Sequence, residues 1–158
     1  MAKIDPVRID VMPERSFVGL LERYGADAPA KIPEQWKRFA PYIGAIPGQA
    51  GHVAYGIVAH MGQQPFGFDY MAGVEVVSGS PSPPALQTLN LPDATYAVFA
   101  HDGHVSALRS TIDAIFNDWL PRSGRETAAD PHLLERYGDG FNPQTGEGDI
   151  ELWVALEP

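Results

Sequence analysis

Apolar residues cluster in short stretches that are separated by turn residues, a pattern typical of β-strands. The predicted strands cover residues 7–12, 15–24, 53–60 and 68–77 in the first half of the chain, and 85–91, 94–101, 132–138 and 149–156 in the second. In each half the first two strands flank a short turn that contains a proline, which predicts a β-hairpin.

Between the second and third strands of each half, the apolar spacing becomes helical. One helical face in the first half consists of Ile32, Trp36, Phe39 and Ile43. Pro33 suits the first turn of this helix, and Pro41 ends or kinks it. A longer stripe predicts a second helix over about 104–119, which Pro121 stops.

The two halves also resemble each other in sequence. "MPERSFVGL" at 12–20 aligns with "LPDATYAVF" at 91–99, and "FDYMAGVE" at 68–75 aligns with "IELWVALE" at 150–157. The two offsets are nearly equal, 79 and 82 residues, which indicates a duplicated unit. "SGSPSPP" at 78–84 is the predicted linker between the copies.

These elements predict one α+β domain over 1–158, with pseudo-repeats at about 7–77 and 85–157. Each copy is a strand–helix–strand–strand module, and we expect two antiparallel sheets with one main helix each. A copy of about 80 residues buries too little surface to be stable alone, so the copies should share a core or an interface.

Composition narrows the possible functions. The formal charge of −9 argues against nucleic-acid binding, which depends on Lys and Arg neutralising phosphates, and against docking on an anionic membrane. The chain has no cysteine, which excludes disulfides, thiolate nucleophiles and cysteine-ligated metals. The N-terminus has no apolar signal-peptide core, and no window is long and apolar enough for a membrane span, so we expect a cytoplasmic protein.

Familiar catalytic and metal motifs are missing. "HDGH" at 101–104 has i, i+3 spacing without a helical HExxH pattern, so we expect no metal. "GQAGHVAYG" at 48–56 has no Walker lysine, and no serine lies in a GxSxG elbow. We therefore expect no cofactor, and Ser–His–acid hydrolysis is unsupported.

Glu135 is the most distinctive candidate residue. In "PHLLERYGDGF" at 131–141, strand alternation places it on one face with Leu133 and Tyr137, while Arg136 belongs to the other face. A carboxylate among apolar neighbours is costly when ionised unless it meets a cation. A solvent-facing glutamate is the alternative that alternation alone leaves open.

The combination "YAVFAHDGHVSALRSTIDAIFNDWLPRSG", "PHLLERY" and "IELWVALEP" resembles the GyrI-like effector-binding domains, which include those attached to AraC-type and MerR-type regulators. The resemblance runs from about Val7 to Leu156. It implies a ligand cleft between the two modules that binds amphipathic, often cationic organic molecules. It also implies that the acid of the "ExY" strand, here Glu135, is the electrostatic partner of the ligand.

The resemblance implies an aromatic lining for this cleft. Tyr137 and Trp153 are the preferred wall, and Tyr55 and Trp36 from the first module are expected to face them. Further candidates are Phe39, Tyr70 and Phe99. Core packing is the alternative for each of these aromatics.

The leading hypothesis is a stand-alone small-molecule-binding protein without direct DNA binding, since only six residues precede Val7. A hydrolase that opens strained rings of reactive natural products is the second, with Glu135 activating water and Tyr137 or Tyr55 assisting. A protein-interaction role, such as gyrase inhibition or partnership with a regulator, is the third.

Overall fold

The computed structural model describes residues 4–26, 28–60, 67–128 and 130–158. Within these residues the strands are β1 (Arg8–Met12), β2 (Arg15–Tyr24), β3 (Gln49–Ala59), β4 (Phe68–Val76), β5 (Gln87–Leu91), β6 (Ala94–His101), β7 (Leu133–Tyr137) and β8 (Ile150–Leu156). All lie within a few residues of the predicted strands, because turn residues delimit each apolar stretch.

The first helix, α1, spans Ala28–Phe39 and continues into a 3₁₀ turn at Ala40–Tyr42. It begins earlier than predicted, so Pro33 lies inside it rather than in its first turn. The α-helix ends just before Pro41, as the sequence predicted, because that ring cannot continue the helical hydrogen bonding.

The second helical segment consists of α2 (Leu108–Ala114), a π-helical turn at Ile115–Trp119 and α3 (Leu120–Ser123). The prediction that Pro121 stops this helix is wrong. Pro121 lies in the first turn of α3, where its missing N–H is tolerated, directly after the π-helical turn. The segment ends instead at Gly124, whose φ of 70° is left-handed.

All strands join in one antiparallel sheet with the order β1-β6-β8-β7-β3-β4-β2-β5. The α+β class and the repeated order of elements are confirmed. The two sheets expected from the sequence are the halves of this single sheet. They are joined because β3 pairs with β7, with Gly56 opposite Glu135.

The two predicted hairpins are wrong. β1 pairs with β6 and β5 pairs with β2, so each module lends its first strand to the other. Arg8 lies opposite Val98 and Arg15 opposite Leu91, a constant register that continues across both proline turns. β1 therefore continues in the same direction into β2 instead of folding back on it. Proline is tolerated between the two strands, because one strand pair ends there and the next begins.

Each face of the sheet has its own core. The helix-covered face carries the larger apolar cluster, which includes Tyr70, Phe99, Leu133 and Leu152. The helix-free face carries the smaller cluster, which includes Phe17, Tyr55, Tyr96, Leu134 and Trp153. Alternation along each strand determines which cluster a residue joins.

A buried cation lies within the helix-free cluster. The Arg15 guanidinium carbon lies 5.3–5.8 Å from the ring centroids of Phe17, Tyr55, Tyr96 and Trp153. Its side chain is 6% exposed, and Glu75 Oε1 lies 3.9 Å from its Nη1.

No helix among the described residues combines the length and apolar character needed to cross a bilayer.

Candidate functional site

Glu135 lies at the centre of a hydrogen-bonded group on the helix-covered face. Its Oε1 accepts a hydrogen bond from the Tyr70 hydroxyl at 2.6 Å and another from the Tyr137 hydroxyl at 2.9 Å. The Tyr70 oxygen in turn accepts from the Trp36 indole N–H at 3.0 Å. We call these four residues the Glu135 site.

Strand pairing creates the space for this group. Gly56 on β3 lies directly opposite Glu135 on β7 and has no side chain. A Cβ at Gly56 would overlap both the Tyr70 hydroxyl oxygen and Glu135 Oε1. Glycine inside a strand often marks such a close approach, and here it is the position that the first module contributes opposite the acid.

Helix α1 covers the site and is fixed to the sheet by a buried amide. Gln35 is fully buried, and its Nε2 donates to the carbonyl oxygens of Leu20 and Tyr70 at 2.9 Å each. Its Oε1 accepts from the Tyr24 hydroxyl at 2.7 Å. The adjacent Trp36 is thereby held over the carboxylate.

Aromatic rings surround the carboxylate on the side of α1. The Trp36 and Tyr137 ring centroids are 5.5 Å apart at a steep angle, and Tyr137 lies 5.0 Å from Phe141. Phe39 lies 6.2 Å from Trp36 on the same helix. These separations lie in the range of favourable aromatic contacts, so the rings form one continuous aromatic surface.

The local environment changes the proton affinity of all three titratable groups. Burial raises the pKa of Glu135, although the hydrogen bonds from Tyr70 and Tyr137 act in the opposite direction. Burial and the neighbouring carboxylate also raise the pKa of both tyrosines well above the usual value. Both hydroxyls therefore remain protonated donors at neutral pH.

Glu135 has no cationic partner within the part of the chain that the structure describes: it forms no ion pair there, and its side-chain hydrogen bonds are those with the two tyrosine hydroxyls. Both hydrogen bonds reach Oε1, and none from a described residue reaches Oε2. Other partly buried acids in the same range have such partners, for example Asp69 with Arg23 and Glu22 with Arg38. The arrangement is suited to a positively charged ligand.

The predicted site residues do not all come together. Glu135, Tyr137, Tyr70, Trp36 and Phe39 share the helix-covered face. Phe99 is on that face too, but it packs against Trp119 at 5.1 Å beneath the second helical segment.

Tyr55 and Trp153 lie on the helix-free face, so their expected place beside Glu135 is corrected. Trp153 pairs with Leu134 and Tyr55 pairs with Arg136, and both of those residues alternate with Glu135 along β7. Cross-strand neighbours point to the same face, so register puts the two aromatics behind the sheet. Both pack around Arg15.

Sequence reasoning missed Gln35, Gly56 and Phe141. Gly56 could have been found by aligning the two copies, because the first copy has no acid at the position where the second has Glu135. Gln35 left none, because a single amide on a helix has no pattern that distinguishes burial from exposure. Phe141 lies in a loop, where periodicity gives no information.

A groove of about 460 Å³ lies away from the Glu135 site, at the edge formed by β2, β4 and β5. Its lining is mostly polar and includes Ser16, Thr88 and Asn90, with no aromatic residue. It therefore lacks the apolar surface that organic ligands need. We assign the candidate site to Glu135.

The raised pKa of Glu135 predicts a pH-dependent stability difference. A carboxyl group whose folded-state pKa exceeds the unfolded value of about 4.5 contributes stability that is lost as the pH rises through the folded pKa. Glu135→Gln, which never ionises, should therefore gain stability relative to the wild type as the pH rises from about 4.5 towards neutrality. Urea unfolding across this range measures the difference.

Glu157→Gln is the control for this experiment, because Glu157 is exposed to solvent. We expect its stability relative to the wild type to stay constant with pH. A constant difference for Glu135→Gln as well would contradict the raised pKa.

These observations define a class of protein: a duplicated α+β module with one aromatic-flanked carboxylate beneath its first helix. The chain belongs to the GyrI-like small-molecule-binding domain family, whose model matches residues 5–157.

A relative with a known role supports the same assignment. The transcriptional regulator BrlR of Pseudomonas aeruginosa is 34% identical over 152 residues, which cover 94% of this chain and 54% of BrlR. The chain therefore spans about half the length of this curated relative. Its relationship to regulators is through the small-molecule-binding domain.

Two solved structures share the fold. One, described as a bacterial transcription regulation protein from Staphylococcus aureus, has a TM-score of 0.76 at 17% identity and covers 96% of this chain and 97% of its own. The other is SAV2435 bound to tetraphenylphosphonium, with a TM-score of 0.74 at 18% identity and coverage of 95% and 93%. Identities this low establish the fold alone.

Proposed function

We propose that this chain binds amphipathic organic cations at Glu135, with Trp36, Tyr137 and Tyr70 as the aromatic and hydrogen-bonding surround. The observation that carries the proposal is a partly buried carboxylate without a cationic partner among the described residues. Membership of the GyrI-like family supports a small-molecule ligand. The structural relative SAV2435 binds tetraphenylphosphonium, which is a cation, and this supports a positively charged ligand.

Electrostatics favours a cation that carries its own apolar surface. Ionised Glu135 lacks a counter-charge, and the two tyrosine hydrogen bonds offset only part of the cost of removing it from water. A bound cation would supply that charge where water is largely excluded. A small hydrated cation would bring its water with it and gain little, so we expect bulky, weakly hydrated cations to bind best.

The aromatic rings add attraction of a second kind. A cation that contacts the ring faces of Trp36 and Tyr137 would gain cation–π attraction of about 0.5–2 kcal/mol per ring. The planar surface of an aromatic ligand would also pack against these rings. The Glu135 site therefore favours ligands that combine positive charge with aromatic or aliphatic bulk.

Entry of such a ligand requires a rearrangement at α1. The Trp36 ring packs on Tyr137, and its N–H donates to the Tyr70 hydroxyl, so it occupies the space beside the carboxylate. Trp36 keeps part of its surface accessible, as do Tyr137 and Glu135. Displacement of this one ring would give a ligand direct access to the acid and to Tyr137.

Two tetraphenyl ions of similar size and opposite charge test the proposal. We expect the wild type to bind tetraphenylphosphonium at least about a hundredfold more tightly than tetraphenylborate, as measured by isothermal titration calorimetry. In Glu135→Gln the preference for the cation should fall by at least about tenfold, because the amide keeps the shape but not the charge.

Glu157→Gln removes the same unit of charge from an exposed position and should leave the preference intact. This control separates the local carboxylate from the overall charge of −9. Equal binding of the two ions by the wild type, or an unchanged preference in Glu135→Gln, would refute the proposed role.

Hydrolysis is the second candidate, and the raised pKa of Glu135 is the observation that favours it. A carboxylate of raised pKa can accept a proton from water, while Tyr137 or Tyr70 donates to the substrate. Multiple turnovers of a strained-ring electrophile, lost in Glu135→Gln, would support this activity. Stoichiometric binding without consumption would support binding alone.

A further inference from the structure

The edge strand β1 exposes an apolar face. It pairs only with β6 in the sheet order, and its other side has no strand partner among the described residues. Ile9 and Val11 of β1 are 46% and 77% exposed, and alternation places both on one face; Val7, at the bend just before β1, is 58% exposed. In the described part of the chain they are three of only four large apolar residues this exposed.

The other edge of the sheet provides an internal comparison. β5 is the equivalent strand of the second module, and the offset of 79 residues makes Thr88 and Asn90 the counterparts of Ile9 and Val11. Both counterparts are polar, and Asn90 Oδ1 accepts a hydrogen bond from the Ser16 hydroxyl at 2.7 Å. The β5 edge is therefore polar and suited to contact with water, as unpaired sheet edges usually are, whereas the β1 edge is apolar.

The opposite face of β1 carries a balanced pair of charges. Arg8 and Asp10 form an ion pair at 2.6 Å, and their side chains are 41% and 40% exposed; Arg8 also pairs with Glu151 of β8 at 3.2 Å. Arg8 and Asp10 alternate with Ile9 and Val11, so the charged side chains lie on the face opposite these exposed apolar residues. Met12 shares the charged face and packs, partly buried, against the helix-free cluster. The strand itself carries no net charge, although the chain carries −9.

We propose that β1 is a self-association surface that pairs antiparallel with β1 of a second copy of this chain, about a two-fold axis at Ile9. In this register Ile9 lies opposite its own copy, and pairing that continues one residue beyond the start of β1 sets Val7 opposite Val11 of the second copy. On the other face, Arg8 lies opposite Asp10 of the second copy. Every cross-strand pair is then apolar with apolar or positive with negative, as stable strand pairs require.

Neighbouring registers lack this complementarity. A two-fold axis at Arg8 would set two arginines opposite each other, and one at Asp10 would set two aspartates together, both of which are unfavourable. An axis between two residues would set apolar side chains opposite charged ones. The sequence of β1 therefore selects one partner orientation, which is the property expected of an isologous interface.

The dimer should be weak, because β1 is only five residues long and small interfaces give transient complexes. We expect sedimentation velocity on the wild-type chain to show monomer at about 5 µM and substantial dimer at about 500 µM. Ile9→Lys should raise the dissociation constant at least about tenfold by placing two ammonium groups opposite each other.

Thr88→Lys introduces the same side chain at the equivalent position of β5 and should leave association unchanged. Since Ile9 is exposed, its substitution should preserve the fold, which circular dichroism verifies. A wild type that stays monomeric at the highest concentration, or a dimer that survives Ile9→Lys, would overturn the proposal.

Single cysteines test the register, since the chain has none of its own. Ile9→Cys would bring two thiols about 5 Å apart across the two-fold axis. Oxidised glutathione should convert them to a disulfide-linked dimer while being reduced to two thiols itself. Val11→Cys is the matched control, because its two thiols would be about 13 Å apart. Cross-linking of Val11→Cys as fast as Ile9→Cys would contradict the register.

Discussion

Gly56→Ala is expected to lower the free energy of unfolding by about 3 kcal/mol and to weaken tetraphenylphosphonium binding at least about tenfold. The added Cβ would overlap the Tyr70 hydroxyl oxygen and Glu135 Oε1, so both groups must move. Overpacking accounts for part of the loss. The rest arises because the carboxylate is left without its hydrogen-bond donors. Urea unfolding and titration calorimetry measure the two effects.

Gly51→Ala on the same strand is the matched control. A Cβ there meets nothing within 4 Å, but the φ of +74° makes alanine strained. We expect a loss of stability of about 1 kcal/mol and unchanged ligand binding. Normal binding by Gly56→Ala would show that the Glu135 site does not require the tyrosine hydrogen bonds.

Much of the fold could be predicted because its signals are local. Apolar stretches between turn residues predicted the positions of the eight strands that the structure describes, and period-two alternation correctly grouped Glu135 with Leu133 and Tyr137. Helix α1 was found from the spacing around Trp36. The internal repeat was visible because both copies kept similar strands.

Strand partners could not be predicted in the same way. Two adjacent strands with a proline turn favour a hairpin by default, but whether β1 folds back on β2 or pairs with β6 depends on long-range contacts. The register between β3 and β7 likewise decides that Gly56 meets Glu135. The candidate aromatics were chosen without knowledge of the register. Tyr55 and Trp153 were therefore expected beside Glu135, although they lie on the opposite face of the sheet.

Strand alternation alone could not show what distinguishes Glu135 from its neighbours on β7. A charged residue such as Arg136 ordinarily marks the exposed face of a strand, yet Leu134 on the same face of β7 is fully buried. Leu133 and Leu134 are buried on opposite faces of β7, whereas Glu135 and Arg136 each keep part of their surface accessible, so exposure does not distinguish the two positions. What distinguishes Glu135 is the lack of a counter-charge among the described residues, whereas Arg136 faces Glu151 and Asp149 at 3.7 and 3.8 Å.

Arg15 presents the opposite case, a buried cation whose partners are mainly aromatic. No described group accepts a hydrogen bond from its Nη2, and the ion pair with Glu75 is long at 3.9 Å. Two large effects oppose each other here. Removing the guanidinium from water is costly, whereas four nearby rings each contribute cation–π attraction of about 0.5–2 kcal/mol.

We expect these two effects to nearly cancel, so the packing of the Arg15 side chain determines the result of mutation. Arg15→Ala should lower the free energy of unfolding by about 3 kcal/mol, because it leaves a cavity among Phe17, Tyr55 and Trp153. Arg15→Met fills most of that space without charge and should stay within about 1 kcal/mol of the wild type. Both variants should bind tetraphenylphosphonium normally while folded, since Arg15 and Glu135 lie on opposite faces of the sheet. If Arg15→Met were as unstable as Arg15→Ala, the cation–π attraction would outweigh the cost of burying the charge.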